Sequence, residues 1–122
     1  MAILRLSHVE IRVPDLELAT AYYNEVVGMF ETAREGDRVF LKCWDEHQHH
    51  SVILHSAPTY GLVRMGWKLQ FFEDLDYYQA KLQEAGVFVN RLTPGEVGQG
   101  GGYSIRFNLP SGHEMELTHG MD

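Results

Sequence analysis

Alternating apolar and polar residues open the chain, and this alternation predicts a β-strand from residue 3 to residue 13. Pro14 and Asp15 end the strand, and the Asp15 side chain is suited to cap a helix. Apolar residues then recur every three or four positions as far as Gly28, which predicts a helix with one apolar face and a glycine stop. Three strands are predicted to follow, at residues 30–33, 38–44 and 51–55.

The same order of elements recurs in the second half of the chain. The helix starts Asp15 and Glu73 lie 58 residues apart, and so do the helix stops Gly28 and Gly86. Because a helix start and a helix stop both need particular residue types, the equal offset indicates a duplicated βαβββ module. The predicted modules cover about residues 1–57 and 62–122, and the second has strands at residues 65–72, 87–92, 103–109 and 113–119.

The size of each module decides the expected architecture. A module of this length cannot bury a sheet face by itself, so the two should pair within a single domain over residues 1–122. We therefore predict an α+β fold in which two tandem βαβββ modules form a curved, cleft-forming mixed sheet.

Charge and composition exclude several classes of function. Seventeen acidic residues outnumber ten basic ones, and the resulting net charge of -7 argues against a nucleic-acid partner. The chain has no apolar run of membrane-spanning length and no signal-peptide pattern, so we expect no membrane contact and a cytoplasmic location. The lone cysteine, Cys43, fits a reducing compartment, and its apolar surroundings predict a buried side chain rather than a nucleophile.

Three stretches of sequence resemble the vicinal oxygen chelate superfamily, which includes glyoxalase I, bleomycin-resistance proteins and extradiol dioxygenases. They are SHVEIRVPD at 7–15, YYNEVVGM at 22–29 and PSGHEMEL at 110–117. A narrower resemblance is to the N-terminal domain of catechol 2,3-dioxygenases, carried by residues 38–44, 51–54, 65–68 and 105–113. That resemblance implies a longer parent enzyme in which iron(II) is held by a C-terminal catalytic domain, and an N-terminal domain that keeps the fold without metal.

The resemblance also implies where a metal would bind, and His8 and Glu116 match two of the superfamily's ligand positions. The 58-residue offset from His8 leads to Gly66, and a fourth position falls at Leu54; neither side chain can ligate a metal. The incomplete set favours a relic of an ancestral site over a working site completed by another chain. His8 and Glu116 are therefore weak metal-ligand candidates, and we expect this domain to bind no cofactor.

Two other sequence features have simpler interpretations. His47, His49 and His50 lie in a polar run that fits a solvated loop better than a functional metal site. The glycine-rich stretch 95–102 lacks the following lysine of a phosphate-binding loop, so a connector between strands is favoured.

Two functions remain open from the sequence. The first is the non-catalytic N-terminal domain of an extradiol ring-cleaving dioxygenase of the catechol 2,3-dioxygenase type, acting in aromatic compound breakdown with a C-terminal catalytic domain or as a homo-oligomer. The alternative is a standalone, metal-free protein of the bleomycin-resistance type that binds a small aromatic molecule in its cleft. Five aromatic residues are candidates to line such a cleft: Tyr22, Tyr23, Trp44, Trp67 and Phe107.

Overall fold

The computed structural model describes residues 3–43, 50–97 and 102–120. The chain divides into two compact units. The N-terminal unit is His8–Val63, and the C-terminal unit combines Met1–Ser7 with Arg64–Asp122. The first strand therefore begins in one unit and ends in the other.

The N-terminal unit is a βαβββ arrangement with strand order β2-β3-β4-β1. Strands β1 and β4 pair in parallel, whereas β2, β3 and β4 pair as antiparallel neighbours. Its elements are β1 Ile3–Val13, α1 Leu16–Tyr22, a π-helical turn Tyr23–Val27, β2 Phe30–Glu35, β3 Arg38–Lys42 and β4 Val52–Ser56.

Local chemistry fixes both ends of the first helical segment. The Asp15 side chain accepts a hydrogen bond from the Leu18 backbone N–H at 3.1 Å, as an N-cap does. Gly28 has a φ of 88°, a left-handed conformation that suits glycine at a helix C-terminus. The widened π-helical turn closes through a hydrogen bond from the Gly28 N–H to the Tyr23 carbonyl, which also accepts one from the Met29 N–H.

The C-terminal unit repeats the arrangement with strand order β5-β8-β7-β6. Strands β5 and β8 pair in parallel, and β6, β7 and β8 pair as antiparallel neighbours. Its elements are β5 Gly61–Leu69, α2 Asp74–Glu84, β6 Asn90–Leu92, α3 Pro94–Val97, β7 Tyr103–Asn108 and β8 Glu114–His119.

Each unit buries its apolar side chains between its helix and one face of its strands. The buried clusters are Val13, Met29, Val39, Leu41 and Leu54 in the N-terminal unit, and Leu69, Leu75, Ile105 and Leu117 in the C-terminal unit. Because side chains alternate along a strand, the intervening residues lie on the opposite face. We call that second face the polar face of each unit, because it carries the buried polar side chains, with Phe40 and Ile53 as buried apolar residues among them in the N-terminal unit.

The predicted fold class is confirmed, since the eight strands of the described residues pair in both parallel and antiparallel fashion and are joined by helices. The curvature and the cleft stay predictions. One element was missed: α3 lies within the predicted glycine-rich connector, where the Glu96 side chain accepts hydrogen bonds from both the backbone N–H and the hydroxyl of Thr93. The prediction that Cys43 is buried is wrong, because its side chain is exposed just beyond β3.

Candidate functional site

A buried carboxylate organises the polar face of the N-terminal unit. Glu10, on β1, is 2% exposed. Its Oε1 accepts a hydrogen bond from Arg38 Nη2 at 3.1 Å, and its Oε2 lies 2.8 Å from His55 Nδ1. The other ring nitrogen of His55 lies 3.3 Å from the Asp37 carboxylate, which is largely exposed. Glu10 is thus held by groups from two neighbouring strands, and His55 joins it to a carboxylate at the surface.

Aromatic rings continue this polar face toward His8. The Arg38 guanidinium lies over the Phe40 ring at 5.2 Å, and the Phe40 and His50 ring centroids are 4.8 Å apart. The His50 and His8 rings meet edge to face at 5.6 Å, and both histidines are buried. His8 is therefore a buried side chain at the end of a row of rings that contact one another edge to face.

The C-terminal unit has a comparable buried carboxylate, Glu116 on β8, which is 0% exposed. Its Oε1 accepts a hydrogen bond from Arg106 Nε on β7 at 2.6 Å. In the β5–β8 register, Gly66 is directly paired with Glu116. A side chain at position 66 would therefore lie beside the carboxylate, as the module offset predicts, and glycine supplies none.

The contacts of Glu116 do not fit a metal site. A guanidinium on Glu116 neutralises the carboxylate and opposes a second cation on the same group, and Gly66 offers no donor atom. Within residues 3–43, 50–97 and 102–120, no group of three or more His, Cys, Asp or Glu side chains is arranged to hold a metal ion. His8 and Glu116 belong to different units, and their shared role as metal ligands stays a prediction.

The structure also locates other residues for which the sequence predicted a role in the site. Leu54 was expected at a ligand position, but it pairs with Ile11 and lies wholly in the helix-side core, so its side chain is on the face opposite Glu10. Trp67 and Phe107, predicted to line a cleft, pack against the core cluster under α2 and line an apolar pocket of about 320 Å³ there. His47 and His49, like Trp44, lie outside the described residues.

The two residues that bind Glu10 were not among the predicted site residues. Arg38 and His55 are register partners across β3 and β4, and both bind Glu10. The one available signal was alternation: Arg38 and Phe40 lie on one face of β3, as His8 and Glu10 do on β1. Strand register was needed to bring the two faces together.

Comparison with known protein families gives one match, to the model described as the catechol 2,3-dioxygenase-like N-terminal domain, over residues 64–118. Among curated relatives, a metapyrocatechase of Pseudomonas sp. strain CF600 is 37% identical over 94% of this chain and 38% of its own length. A manganese-dependent 2,3-dihydroxybiphenyl 1,2-dioxygenase of Geobacillus genomosp. 3 is 29% identical over 98% of this chain and 38% of its own length.

Solved structures give the same result. The 2,3-dioxygenase LapB of Pseudomonas sp. KL28 superimposes with a TM-score of 0.94 and 36% identity, over 100% of this chain and 42% of that protein. A homoprotocatechuate 2,3-dioxygenase of Brevibacterium fuscum gives a TM-score of 0.90 and 28% identity over 98% of this chain. The chain thus spans 38% of the length of the first two curated relatives. Among the described residues, no helix is long and apolar enough to cross a membrane.

Proposed function

We propose that this chain serves as the non-catalytic N-terminal domain of an extradiol ring-cleaving dioxygenase active in aromatic compound breakdown, because residues 64–118 match the catechol 2,3-dioxygenase-like N-terminal domain and the whole chain is similar to one part of longer dioxygenases. The observation that carries the non-catalytic role is the pairing of Gly66 with a Glu116 that Arg106 already holds. A catalytic metal site with an open position needs several donor side chains, and this strand pair provides one carboxylate, already bonded through Oε1 to Arg106, beside a glycine.

The polar faces support a structural role for the same residues. Glu10 and Glu116 are buried carboxylates, each with an arginine hydrogen-bonded to it. Buried charges that are paired in this way hold neighbouring strands together, whereas catalytic groups need access to a substrate. We therefore assign Glu10, Arg38, Arg106 and Glu116 to the integrity of the domain.

The cofactor and partners of the parent enzyme follow as proposals. One relative is named for its dependence on manganese. We propose that the parent protein uses iron(II) or manganese, held outside this domain by a C-terminal catalytic domain that is the main partner of the chain. We further propose that the enzyme acts in the cytoplasm on a small aromatic diol, as a homo-oligomer.

Metal content and ring cleavage test the proposal together. The isolated 122-residue chain and the complete natural gene product should each be loaded with iron(II) without oxygen and desalted. Metal per chain is then measured by mass spectrometry, and catechol cleavage by the absorbance of the ring-opened product. We expect metal and activity in the complete product, and neither in the isolated chain.

His8→Gln in the complete product separates a structural residue from a ligand. The substitution should leave the metal content at the level of the unsubstituted protein, because the proposed site is elsewhere. Stoichiometric iron in the isolated chain, or loss of iron from the folded His8→Gln protein, would contradict the non-catalytic assignment.

A further inference from the structure

Two half-buried charged side chains stand apart from all others in residues 3–43, 50–97 and 102–120. Every other buried or half-buried carboxylate, lysine and arginine in these ranges has a hydrogen bond or an ion pair, whereas Arg12 and Lys68 have neither. Both are cations on the first strand of a module, β1 and β5. A protein with a net charge of -7 thus leaves two half-buried cations uncompensated.

The chain holds Arg12 in place without neutralising it. A Cβ atom built on Gly61 would lie 1.9 Å from Arg12 Nη2, so the guanidinium lies directly against the glycine backbone. Only glycine leaves room for this position. Lys68 has no such packing contact with a glycine, and the long flexible side chain of a lysine can extend its ammonium group into water.

The carboxylate closest to Arg12 along the strand is already engaged. Glu10 lies two residues before Arg12 on the same face of β1, but Arg38 and His55 bind its two oxygens. His55 is also the register partner of Arg12 across the β1–β4 pair. Arg12 therefore lies beside the network of Glu10, Arg38 and His55, and its guanidinium N–H groups donate no hydrogen bond within the described residues.

We propose that Arg12, seated on Gly61, binds the carboxylate of a ligand outside the described chain. A guanidinium presents parallel N–H groups that match a carboxylate or a phosphate in a bidentate fashion. The acidic side chains of Glu10 and Asp37 on the same network favour a singly charged carboxylate over a doubly charged phosphate. The carboxylate can belong to a small molecule or to an acidic residue of a second copy of the chain.

Titration of the ¹⁵N-labelled chain with sodium benzoate tests the proposal, with sodium chloride added to hold ionic strength constant. The Arg12 Nε–H resonance should shift saturably, and Arg12→Gln should weaken the binding at least about tenfold, as expected for loss of a charge-assisted hydrogen bond. Arg34→Gln is the matched control, because Arg34 is already paired with Glu17 and Glu31 and should leave benzoate binding unchanged.

Gly61→Ala provides a second test that keeps the charge, since the added methyl group displaces the guanidinium. Benzoate binding should again weaken, even if Arg12→Gln fails to fold. Sedimentation across a range of protein concentrations distinguishes the two sources of carboxylate: self-association that benzoate and Arg12→Gln both abolish identifies a second copy. The proposal is overturned if Arg12 shows no saturable benzoate shift and the folded chain shows no self-association that depends on Arg12.

Discussion

Replacing Glu10 with glutamine should destabilise the protein far more than the same replacement at an exposed ion pair. Glutamine keeps the size of the side chain but removes the charge that Arg38 and His55 share. Arg38 then remains on the polar face without the Glu10 carboxylate, and His55 keeps only the Asp37 carboxylate, at 3.3 Å. Removing one partner of a fully buried ion pair costs about 3–5 kcal/mol.

The exposure of the partners sets where in that range the cost falls. The side chains of Arg38 and His55 are 20% and 33% exposed, so water recovers part of their lost interaction. We therefore expect a loss of about 2–3 kcal/mol in the free energy of unfolding for Glu10→Gln. With a urea dependence of about 1.5 kcal/mol per molar, the unfolding midpoint should fall by about 1.3–2 M.

Glu31→Gln is the matched control for this measurement. Glu31 also pairs with an arginine in the N-terminal unit, at 3.0 Å, but its side chain is 35% exposed and that of Arg34 is 36% exposed. An exposed pair of this kind contributes less than about 1 kcal/mol. Urea unfolding followed by circular dichroism should separate the two variants clearly. Equal midpoints for Glu10→Gln and Glu31→Gln would refute the reasoning that burial makes the Glu10 network structural.

Two further predictions concern backbone packing and titration. Gly102→Ala should lower the free energy of unfolding in urea by about 3 kcal/mol, because a Cβ atom there would lie 2.2 Å from the His119 carbonyl oxygen. Gly112→Ala is the control and should cost about 1 kcal/mol, because the space is open and only the φ of 92° is strained. The reverse order of the two losses would contradict the packing argument. Hydrogen bonding from Arg34 lowers the pKa of Glu31. This carboxylate therefore stabilises the fold at pH values above its ordinary pKa, and it loses that contribution as the pH falls through the lowered pKa. Arg34→Gln should raise the Glu31 pKa toward its ordinary range in a carboxyl NMR titration, and an unchanged pKa would rule out this cause.

Periodicity predicted the order of the elements because each helix and most strands carry their own local signal. The cap at Asp15 and the stop at Gly28 are contacts within a few residues, and both were found. The short helix α3 was missed because five glycines in residues 95–102 outweighed the Thr93–Glu96 capping pattern. Glycine composition alone cannot distinguish a free connector from one tied down by such a cap.

The polar network was harder to predict, since it depends on which residues face each other across strands. The sequence places Glu10 and Arg38 far apart, and only the β1–β4 and β3–β4 registers bring them to hydrogen-bonding distance. A wrong register by one residue would move every side chain to the other face. The assignment of Leu54 to a ligand position failed for this reason, because the residue was placed by its position along the strand rather than by the face on which its side chain lies.

The two units hold their buried carboxylates by the same strategy. Arg38 lies on β3 and Arg106 on β7, which are the equivalent strands of the two modules, and each donates a hydrogen bond to a nearly inaccessible glutamate. A buried carboxylate without a cation would be costly, and an arginine supplies the compensation that a metal ion would otherwise give. The arginines thus explain how the fold keeps a buried glutamate such as Glu116, even though Gly66 beside it has no side chain that could help to hold a metal ion. On this argument Arg106→Gln should destabilise the domain, because it removes the cation from Glu116. The substitution would free the Glu116 carboxylate, but it would also lower the stability of the fold.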